Sequence, residues 1–319
     1  MHILVTGATG FVGSALYLAL AESGQTPRVA LRRQAQGGAA PASTAVVVGG
    51  IDGSTNWTEA LRDIECAVHL AAPEAVPGAA DPLAEYHRIN VAGSRRLAEQ
   101  AATAGVRRLV YMSTIKVNGE ATRARPFTED DAPQPQTDYG RSKQEAEQTL
   151  LGVGRETGLE VVILRPPLVY GPAVRGNFLR LMKLVVSGRP LPLASVHNRR
   201  SMVYIGNLVD AVLACIQVPH AAGRTYLVTD GTDVSTPDLV RALAGELGVA
   251  PRLFPFPPAL LMLGASLLGK REEAVRVLGS LQVDSSRIRR ELGWRPPHTV
   301  EEGLTQTARW FRETVNRKS

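Results

Sequence analysis

A tyrosine and a lysine stand four residues apart in Tyr139-Gly140-Arg141-Ser142-Lys143. Four residues make slightly more than one helical turn, so in a helix the two side chains share a face and can reach one ligand. A phenol titrates near pH ~10, and a nearby ammonium favours the phenolate. Such a tyrosine can donate or accept a proton, provided that a neighbouring group takes or gives a hydride. The pair therefore predicts acid/base chemistry coupled to hydride transfer.

A glycine-rich turn at the N-terminus indicates what carries the hydride. The run Thr6-Gly7-Ala8-Thr9-Gly10-Phe11-Val12-Gly13 follows a strand-like segment and opens a helix-like one, which is the context of a dinucleotide-binding turn. Gly7 permits the tight turn, Gly10 lets the backbone approach a diphosphate, and Gly13 allows close packing of helix on strand. The helix N-terminus presents amides to the phosphates. We therefore expect a nicotinamide dinucleotide beside Tyr139.

Two arginines bear on which dinucleotide this is. Residues 28–31 are predicted as the second strand, and Arg32 and Arg33 follow it directly. An NAD-binding fold usually places a carboxylate there for the ribose 2′-hydroxyl, whereas a guanidinium pairs with a 2′-phosphate. The expected cofactor is NADP, with NAD as the alternative.

The elements that must position these groups alternate between strand and helix. This pattern predicts an α/β fold, a doubly wound parallel Rossmann sheet with a smaller C-terminal α/β substrate-binding cap. We expect residues 1–172 to form the dinucleotide-binding domain, with residues 201–235 returning to it. Residues 173–200 and 236–319 form the expected substrate-binding region, and residues 37–41 a mobile loop. The predicted strands are 3–5, 28–31, 45–48, 67–70, 109–112, 161–164 and 225–228, and the predicted helices include 11–23, 89–104 and 142–156.

Composition narrows the function classes. The 319 residues are 44% hydrophobic, enough for a substantial core. The net charge is +6, but the arginines are scattered and lack interleaved aromatic residues, so we expect phosphorylated small molecules rather than nucleic acid as partners. No cluster of His, Cys and Asp has metal-ligand spacing, so His69 alone predicts no metal site.

Cellular context follows from the cysteines and the apolar runs. Cys66 and Cys215 lie far apart in apolar stretches, which favours buried thiols in a reducing cytoplasm. No signal peptide is recognisable, and the apolar run 259–268 is too short to span a bilayer. We therefore expect a cytoplasmic protein without a membrane partner.

Further motifs occur in a fixed order along the chain. They are His69-Leu70-Ala71-Ala72, Asn90-Val91-Ala92-Gly93, Ser113-Thr114, Arg165-Pro166-Pro167, Leu168-Val169-Tyr170-Gly171-Pro172, Gly176-Asn177-Phe178 and Glu291-Leu292-Gly293-Trp294-Arg295-Pro296. With the glycine turn and the Tyr139/Lys143 pair, they make nearly the whole chain resemble the extended short-chain dehydrogenase/reductases. Within these it is similar to the nucleotide-sugar epimerase, dehydratase and ketoreductase branch. Residues 113–120 are similar to bacterial 4-ketoreductases of UDP-linked N-acetyl 6-deoxyhexuloses.

The resemblance implies roles for individual residues. Tyr139 would be the acid/base, Lys143 would bind the nicotinamide ribose, and Thr114 would hold the substrate oxygen, with Ser113 as the reserve candidate. Asp210 and Asp284 are expected to be structural caps, and Trp294 to serve packing. The implied substrate contacts are Lys116, Asn177, Arg200 and Arg276. The implied cofactor contacts are Gly7, Thr9, Gly10, Phe11, Val12, Gly13, Arg32, Arg33, Ile51, Leu70, Ala71, Ala72, Asn90, Lys143 and Pro166.

The residues after Thr114 separate the possible reactions. Sugar 4,6-dehydratases of this family need an acidic pair there, and Ile115 and Lys116 cannot serve as one. Two reactions remain: an NADPH-dependent 4-ketoreductase, favoured by Arg32, Arg33 and residues 115–120, and an NAD-dependent 4-epimerase of UDP-glucose or UDP-GlcNAc type. A dinucleotide-sensing binding protein without turnover is a third class. By family analogy we also expect a homodimer through helices 89–104 and 142–156.

Overall fold

The computed structural model of the protein describes residues 1–33, 44–73, 78 and 80–314. The loop expected at residues 37–41 lies outside the described residues. Seven strands form one parallel sheet in the order β3-β2-β1-β4-β5-β6-β9. This order confirms the predicted doubly wound parallel sheet. The strands are β1 (Ile3–Thr6), β2 (Arg28–Leu31), β3 (Ala45–Val47), β4 (Cys66–His69), β5 (Arg108–Met112), β6 (Glu160–Arg165), β7 (Leu168–Tyr170), β8 (Met202–Tyr204) and β9 (Thr225–Leu227).

The central strands are apolar because helices cover both faces of the sheet. Val5 of β1 stands opposite Val29 of β2 and Val68 of β4, and all three side chains are fully buried. A near-continuous apolar run of this kind is typical of parallel strands buried on both sides. The carboxyl ends of these strands meet at one edge, which is where the glycine turn begins.

Helices α1 and α7 lie on one face of the sheet, and α4 and α5 lie on the other. The helices are α1 (Phe11–Glu22), α2 (Thr58–Leu61), α3 (Pro82–Tyr86), α4 (Ser94–Thr103), α5 (Asp138–Thr157), α6 (Gly176–Val186), α7 (Ile205–Gln217), α8 (Thr236–Leu247), α9 (Pro258–Leu267), α10 (Arg271–Leu278), α11 (Ser286–Leu292) and α12 (Val300–Thr314). A π-helical segment, His87–Gly93, joins α3 to α4. This layer therefore begins at Pro82, earlier than the predicted start at residue 89.

A second, two-stranded parallel sheet pairs β7 with β8. It carries its own apolar core, in which Tyr170 stacks on Phe178 of α6 with ring centroids 5.4 Å apart. Helices α8 and α12 close this core. Sequence patterns did not predict this sheet, and within residues 201–235 only β9 joins the large sheet. The division into dinucleotide and substrate regions stays a prediction.

Two further expectations concern thiols and membranes. Cys66 and Cys215 are both buried free thiols, and burial raises the pKa of the Cys66 thiol to about 12. No helix among the described residues has the length and apolar character needed to cross a bilayer.

Candidate active site

The glycine turn has the close approaches that the sequence predicts. Gly7 has a φ of +71°, in the left-handed region. A Cβ on Gly7 would stand 2.8 Å from the Ala71 nitrogen, so no side chain fits there. A Cβ on Gly13 would stand 2.1 Å from the Gly7 oxygen. Gly10 precedes α1 in extended conformation and is exposed, as is Thr9. No side chain of the described residues caps the start of α1, so its first amides fit the diphosphate of a dinucleotide.

Helix α5 places Tyr139 and Lys143 on one face. It begins at Asp138, four residues before the predicted start of 142, so that both residues are helical. Thr137 caps the helix by accepting a hydrogen bond from the Gly140 amide at 3.2 Å. Tyr139 is half-buried, whereas Lys143 is only 1% exposed. Tyr139 is therefore partly accessible from the surface, whereas Lys143 is enclosed by the protein.

The buried Lys143 lies against Tyr111 of β5, whose ring is 5.6 Å from the His69 ring of the neighbouring strand β4. Its Nζ is 4.0 Å from the ring centroid of Tyr111, a cation–π distance. Burial, and then the neighbouring Tyr139, raise the pKa of Tyr111 well above its usual value, so that ring stays neutral. Burial, and then the Lys143 charge, lower the pKa of His69 to about 3. His69 is therefore a neutral ring, held by Thr6 Oγ1 at 2.7 Å and Ser94 Oγ at 2.9 Å.

The loop after β5 brings Thr114 toward α5. Thr114 caps the short 3₁₀ turn Ile115–Val117 and accepts from the Lys116 amide at 3.3 Å. The Lys116 Nζ lies 5.9 Å from the ring centroid of Tyr139, so this loop and the helix face one site. Ile115 is buried, whereas Lys116 is one-third exposed and ion-paired with Glu120 at 3.4 Å.

A buried network joins the same loop to α5 and β6. Glu147, one turn beyond Lys143, is paired with Arg165 by two hydrogen bonds. Ser113 donates to Glu147 as well, and Arg165 donates to Asn118 Oδ1 at 3.0 Å. The Ser113 hydroxyl is thus bonded to a carboxylate, and the network fixes the backbone on both sides of Thr114.

Asn90 lies on the π-helical segment, buried beneath the site. Its Nδ2 donates to Ser142 Oγ at 3.0 Å, and Ser142 donates to the Tyr139 carbonyl at 2.9 Å. The Asn90 Oδ1 is buried and has no hydrogen-bond partner among the described residues. A π-helical turn often marks a functional site, and this acceptor is available to a ligand.

The remaining predicted cofactor contacts surround the carboxyl edge of the sheet. Ile51 packs closely against Gly93 of the π-helical segment, because a Cβ on Gly93 would stand 2.8 Å from Ile51 Cγ2. Arg32 and Arg33 follow β2 and are both exposed. The half-buried positions are Phe11, Val12, Leu70, Ala71 and Ala72, and Pro166 is buried with its oxygen accepting from the Ile115 amide at 3.0 Å.

The predicted substrate contacts are less tightly grouped. Asn177 is exposed in the first turn of α6. Burial lowers the pKa of Arg200, while the charge of Glu120 opposes this shift. Arg200 also donates to the Gly279 carbonyl at 2.9 Å. Arg276 of α10 is ion-paired with Glu272 at 3.1 Å.

Several residues of the candidate site were not assigned a role from the sequence. Glu147 had a visible signal, because Tyr139, Lys143 and Glu147 are spaced by four residues along one helix face. Tyr111 and Glu120 had none, since their positions depend on contacts between different elements. Among the predicted structural residues, Asp210 accepts from the Trp294 indole at 2.8 Å. Asp284 accepts from the Ser286 amide at 2.8 Å at the start of α11, as a cap does.

Comparison with known proteins gives a consistent assignment. Residues 3–229 match the family described as "NAD dependent epimerase/dehydratase family". A UDP-glucose 4-epimerase of Vibrio cholerae is 42% identical over 320 residues, covering 99% of this chain and 97% of the relative. MoeE5, solved with UDP-glucose and NAD and with UDP-glucuronic acid and NAD, is similar to this chain with 27% and 26% identity. In both cases the TM-score is 0.78, over 99% of this chain and 100% of MoeE5.

The resemblance to extended short-chain dehydrogenase/reductases is therefore confirmed, as is the prediction of an enzyme. Since the family model covers well over half of the residues and the Vibrio relative aligns end to end, the chain belongs to the NAD dependent epimerase/dehydratase family and is a nucleotide-sugar-modifying enzyme of the epimerase/dehydratase type.

Proposed function

We propose that the protein is an NAD-dependent 4-epimerase of a UDP-hexose. The observation that carries this proposal is the end-to-end 42% identity with the UDP-glucose 4-epimerase of Vibrio cholerae. The sequence alone favours net reduction over epimerisation, whereas the similarity to this relative favours epimerisation. Epimerisation suits the site, because one acid/base residue can act on both faces of the sugar if the sugar rotates between the two hydride transfers.

The residues of the glycine turn fit a dinucleotide, since a side chain at Gly7 or Gly13 would collide with neighbouring backbone. A nicotinamide held there would supply the acceptor, and later the donor, of the C4 hydride. Lys143 is proposed to hold the nicotinamide ribose, with its ammonium packed on the Tyr111 ring. Asn90, with its unpaired Oδ1, is a further proposed contact.

The proton has a proposed path on this chain. Tyr139 takes the proton of the C4 hydroxyl as the C4 hydrogen leaves, and Thr114 donates a hydrogen bond to the resulting ketone oxygen. After the sugar turns, the same phenol returns the proton to the oxygen on the other side. One base thereby acts in both halves of the reaction, and atoms and charge balance without a co-substrate. Asn177, Arg200 and Arg276 are proposed to hold the UDP diphosphate.

A 4-ketoreductase using NADPH is the second candidate, and one observation favours it. Arg32 and Arg33 are exposed at the carboxyl end of β2, where they could pair with a 2′-phosphate.

Dehydration is disfavoured, because Ile115 is buried and apolar and Lys116 carries the wrong charge for the acidic pair. A homodimer through α4 and α5 stays a prediction, checked by whether the mass in solution is twice that of one chain.

Cofactor and turnover together test the proposal. The purified protein is denatured, the released dinucleotide is identified, and the native protein is incubated with UDP-glucose without added cofactor. We expect bound NAD and formation of the C4 epimer. Released NADP, with conversion of a UDP-4-keto sugar only when NADPH is added, would establish the reductase instead.

A Tyr139→Phe variant separates an enzyme from a sensor. We expect kcat to fall by at least ~100-fold, because the phenol is the acid/base, while cofactor binding persists. Tyr226→Phe, which removes a hydroxyl bonded to Glu291 at 3.0 Å outside the site, is the matched control and retains turnover. Equal activity of the two variants would contradict the assigned role.

A further inference from the structure

The hairpin of α9 and α10 exposes an unusual amount of apolar surface. No residue of α9 is buried, and Leu260 and Leu263 are 53% and 57% exposed. At its end Leu267 and Leu268 are 81% and 74% exposed. The apolar hairpin face is defined as Phe254, Leu260, Leu263, Leu267, Leu268 and Val277, which are six of the twelve exposed large hydrophobic side chains among the described residues.

The spacing of the leucines along α9 places their side chains on one side of the helix. Leu260, Leu263 and Leu267 have helical spacing i, i+3 and i+7, so they project from one face. The opposite side, with Leu261 and Met262, is half-buried as α9 packs on α10. Scattered exposed leucines are ordinary, but a contiguous patch of this kind marks an interaction surface.

The base of the hairpin is held firmly to the rest of the molecule. Asn198 donates to the Val277 and Gly279 carbonyls at 3.0 and 3.1 Å, and Thr236 donates to Val277 at 2.7 Å. Arg200, a proposed substrate contact, donates to the same Gly279 carbonyl. The exposed leucines therefore project from a fixed base beside the proposed substrate region.

Cations flank the apolar helix along the chain. Arg252 precedes it, and Lys270 and Arg271 follow directly after Leu268; all three are exposed. Residues 252–276 contain four cations (Arg252, Lys270, Arg271 and Arg276) and two carboxylates (Glu272 and Glu273), a net charge of +2 within a chain of +6. Of the carboxylates, Glu272 is ion-paired with Arg276.

We propose that the apolar hairpin face docks on an anionic lipid bilayer, lying in its interface without crossing it. Leucines buried at the acyl boundary beside lysine and arginine at the phosphates are the pattern of an interfacial helix. Long basic side chains extend to the headgroups while their stems stay in apolar surroundings. The expectation of no membrane partner rested on the absence of a spanning segment, and this proposal departs from it, because surface docking does not need the length of a spanning helix.

The charges disfavour a second copy of this chain as the occupant. In an antiparallel pair of α9 helices, Arg252 of one copy would approach Lys270 and Arg271 of the other. In a parallel pair, Lys270 would face Lys270. Both arrangements bring cations together at an apolar contact, which is unfavourable, whereas anionic headgroups would neutralise them.

Vesicle sedimentation of the full chain tests the docking. We expect the protein to sediment with vesicles containing phosphatidylglycerol, less with phosphatidylcholine alone, and less again at high salt, because the cations contribute. The Leu267→Ser/Leu268→Ser variant should lower the partition coefficient by about tenfold or more. Lys270→Glu/Arg271→Glu should remove the preference for phosphatidylglycerol.

The matched control is Leu18→Ser/Val47→Ser, which removes two apolar side chains exposed by 53% and 54% on other elements. It should sediment like the unaltered protein, and all variants should keep their thermal unfolding midpoint. Absence of sedimentation, or equal sedimentation of the Leu267/Leu268 variant, would overturn the proposal. A smaller mass in solution for that variant, without loss of lipid binding, would assign the face to a second copy and equally overturn it. The hairpin leucines take no part in the proposed epimerisation, so each proposal can fail alone.

Discussion

At the residue scale, the site depends on a buried lysine and on two rings that burial keeps neutral. Lys143 lies against the neutral Tyr111 ring, and His69 behind it is hydrogen-bonded on both nitrogens. His69 belongs to a motif that the sequence shows, whereas the contact of Lys143 with Tyr111 was not evident from it. Residue types and spacing predicted Tyr139 and Lys143 because those two share one helix. They could not predict contacts between β4, β5 and α5.

The buried His69 should make stability depend on pH. Its pKa of about 3 in the folded chain lies below the usual 6.5, so only the unfolded chain takes up a proton between these values. The free energy of unfolding should therefore fall as the pH drops below 6.5, by at most ~1.4 kcal/mol per pH unit from this group. Urea unfolding at several pH values measures this slope.

Other groups titrate in the same range, so the informative quantity is a difference between variants. His69→Gln should show a shallower pH slope than the unaltered protein, whereas His220→Gln, at an exposed position, should not. Parallel slopes for all three proteins would contradict a neutral, buried His69.

At the element scale, the turn between β1 and α1 needs glycine for space. A Cβ on Gly13 would meet the Gly7 oxygen at 2.1 Å, whereas a Cβ on Gly245 of α8 would meet nothing within 4 Å. Gly13→Ala should therefore weaken dinucleotide binding and lower stability. Gly245→Ala should raise the free energy of unfolding by up to ~1 kcal/mol, from helix propensity. Calorimetric titration with NAD and urea unfolding check both, and tight binding by Gly13→Ala would contradict the close approach.

The Glu147–Arg165 pair should be a strong structural tie between α5 and β6. Removing one member of a buried ion pair costs about 3–5 kcal/mol, because the other charge stays buried without a partner. Glu147→Gln should lose stability on this scale, as measured by urea unfolding. Glu59→Gln breaks an ion pair in which both side chains are 63% exposed, and should cost less than ~1 kcal/mol. Equal losses would argue against the buried network.

The elements themselves were largely predictable. Long apolar or periodic segments, such as β1, α1 and α5, followed from hydrophobic pattern and turn residues. The three-residue strands β7 and β8 did not, because so short a run carries no period that separates strand from loop. The π-helical segment His87–Gly93 was also missed, since it shares the composition of an ordinary helix.

At the scale of the whole molecule, the large sheet brings every proposed catalytic group to one edge. The turn after β1, the loop after β5 and helix α5 converge there because parallel strands end on the same side. This convergence followed from the sequence once the strand–helix alternation was recognised. The choice between epimerisation and reduction did not, since both reactions use the same tyrosine, lysine and hydroxyl.

Isotope retention distinguishes the two reactions most directly. UDP-glucose carrying deuterium at C4 is incubated with the purified protein, and the epimeric product is analysed by mass spectrometry and NMR. The proposed 4-epimerase returns the same hydride to C4, so the product should keep its deuterium without added cofactor. Failure to convert UDP-glucose, together with NADPH-dependent reduction of a UDP-4-keto sugar whose new C4 hydrogen comes from the added NADPH, would contradict the proposal.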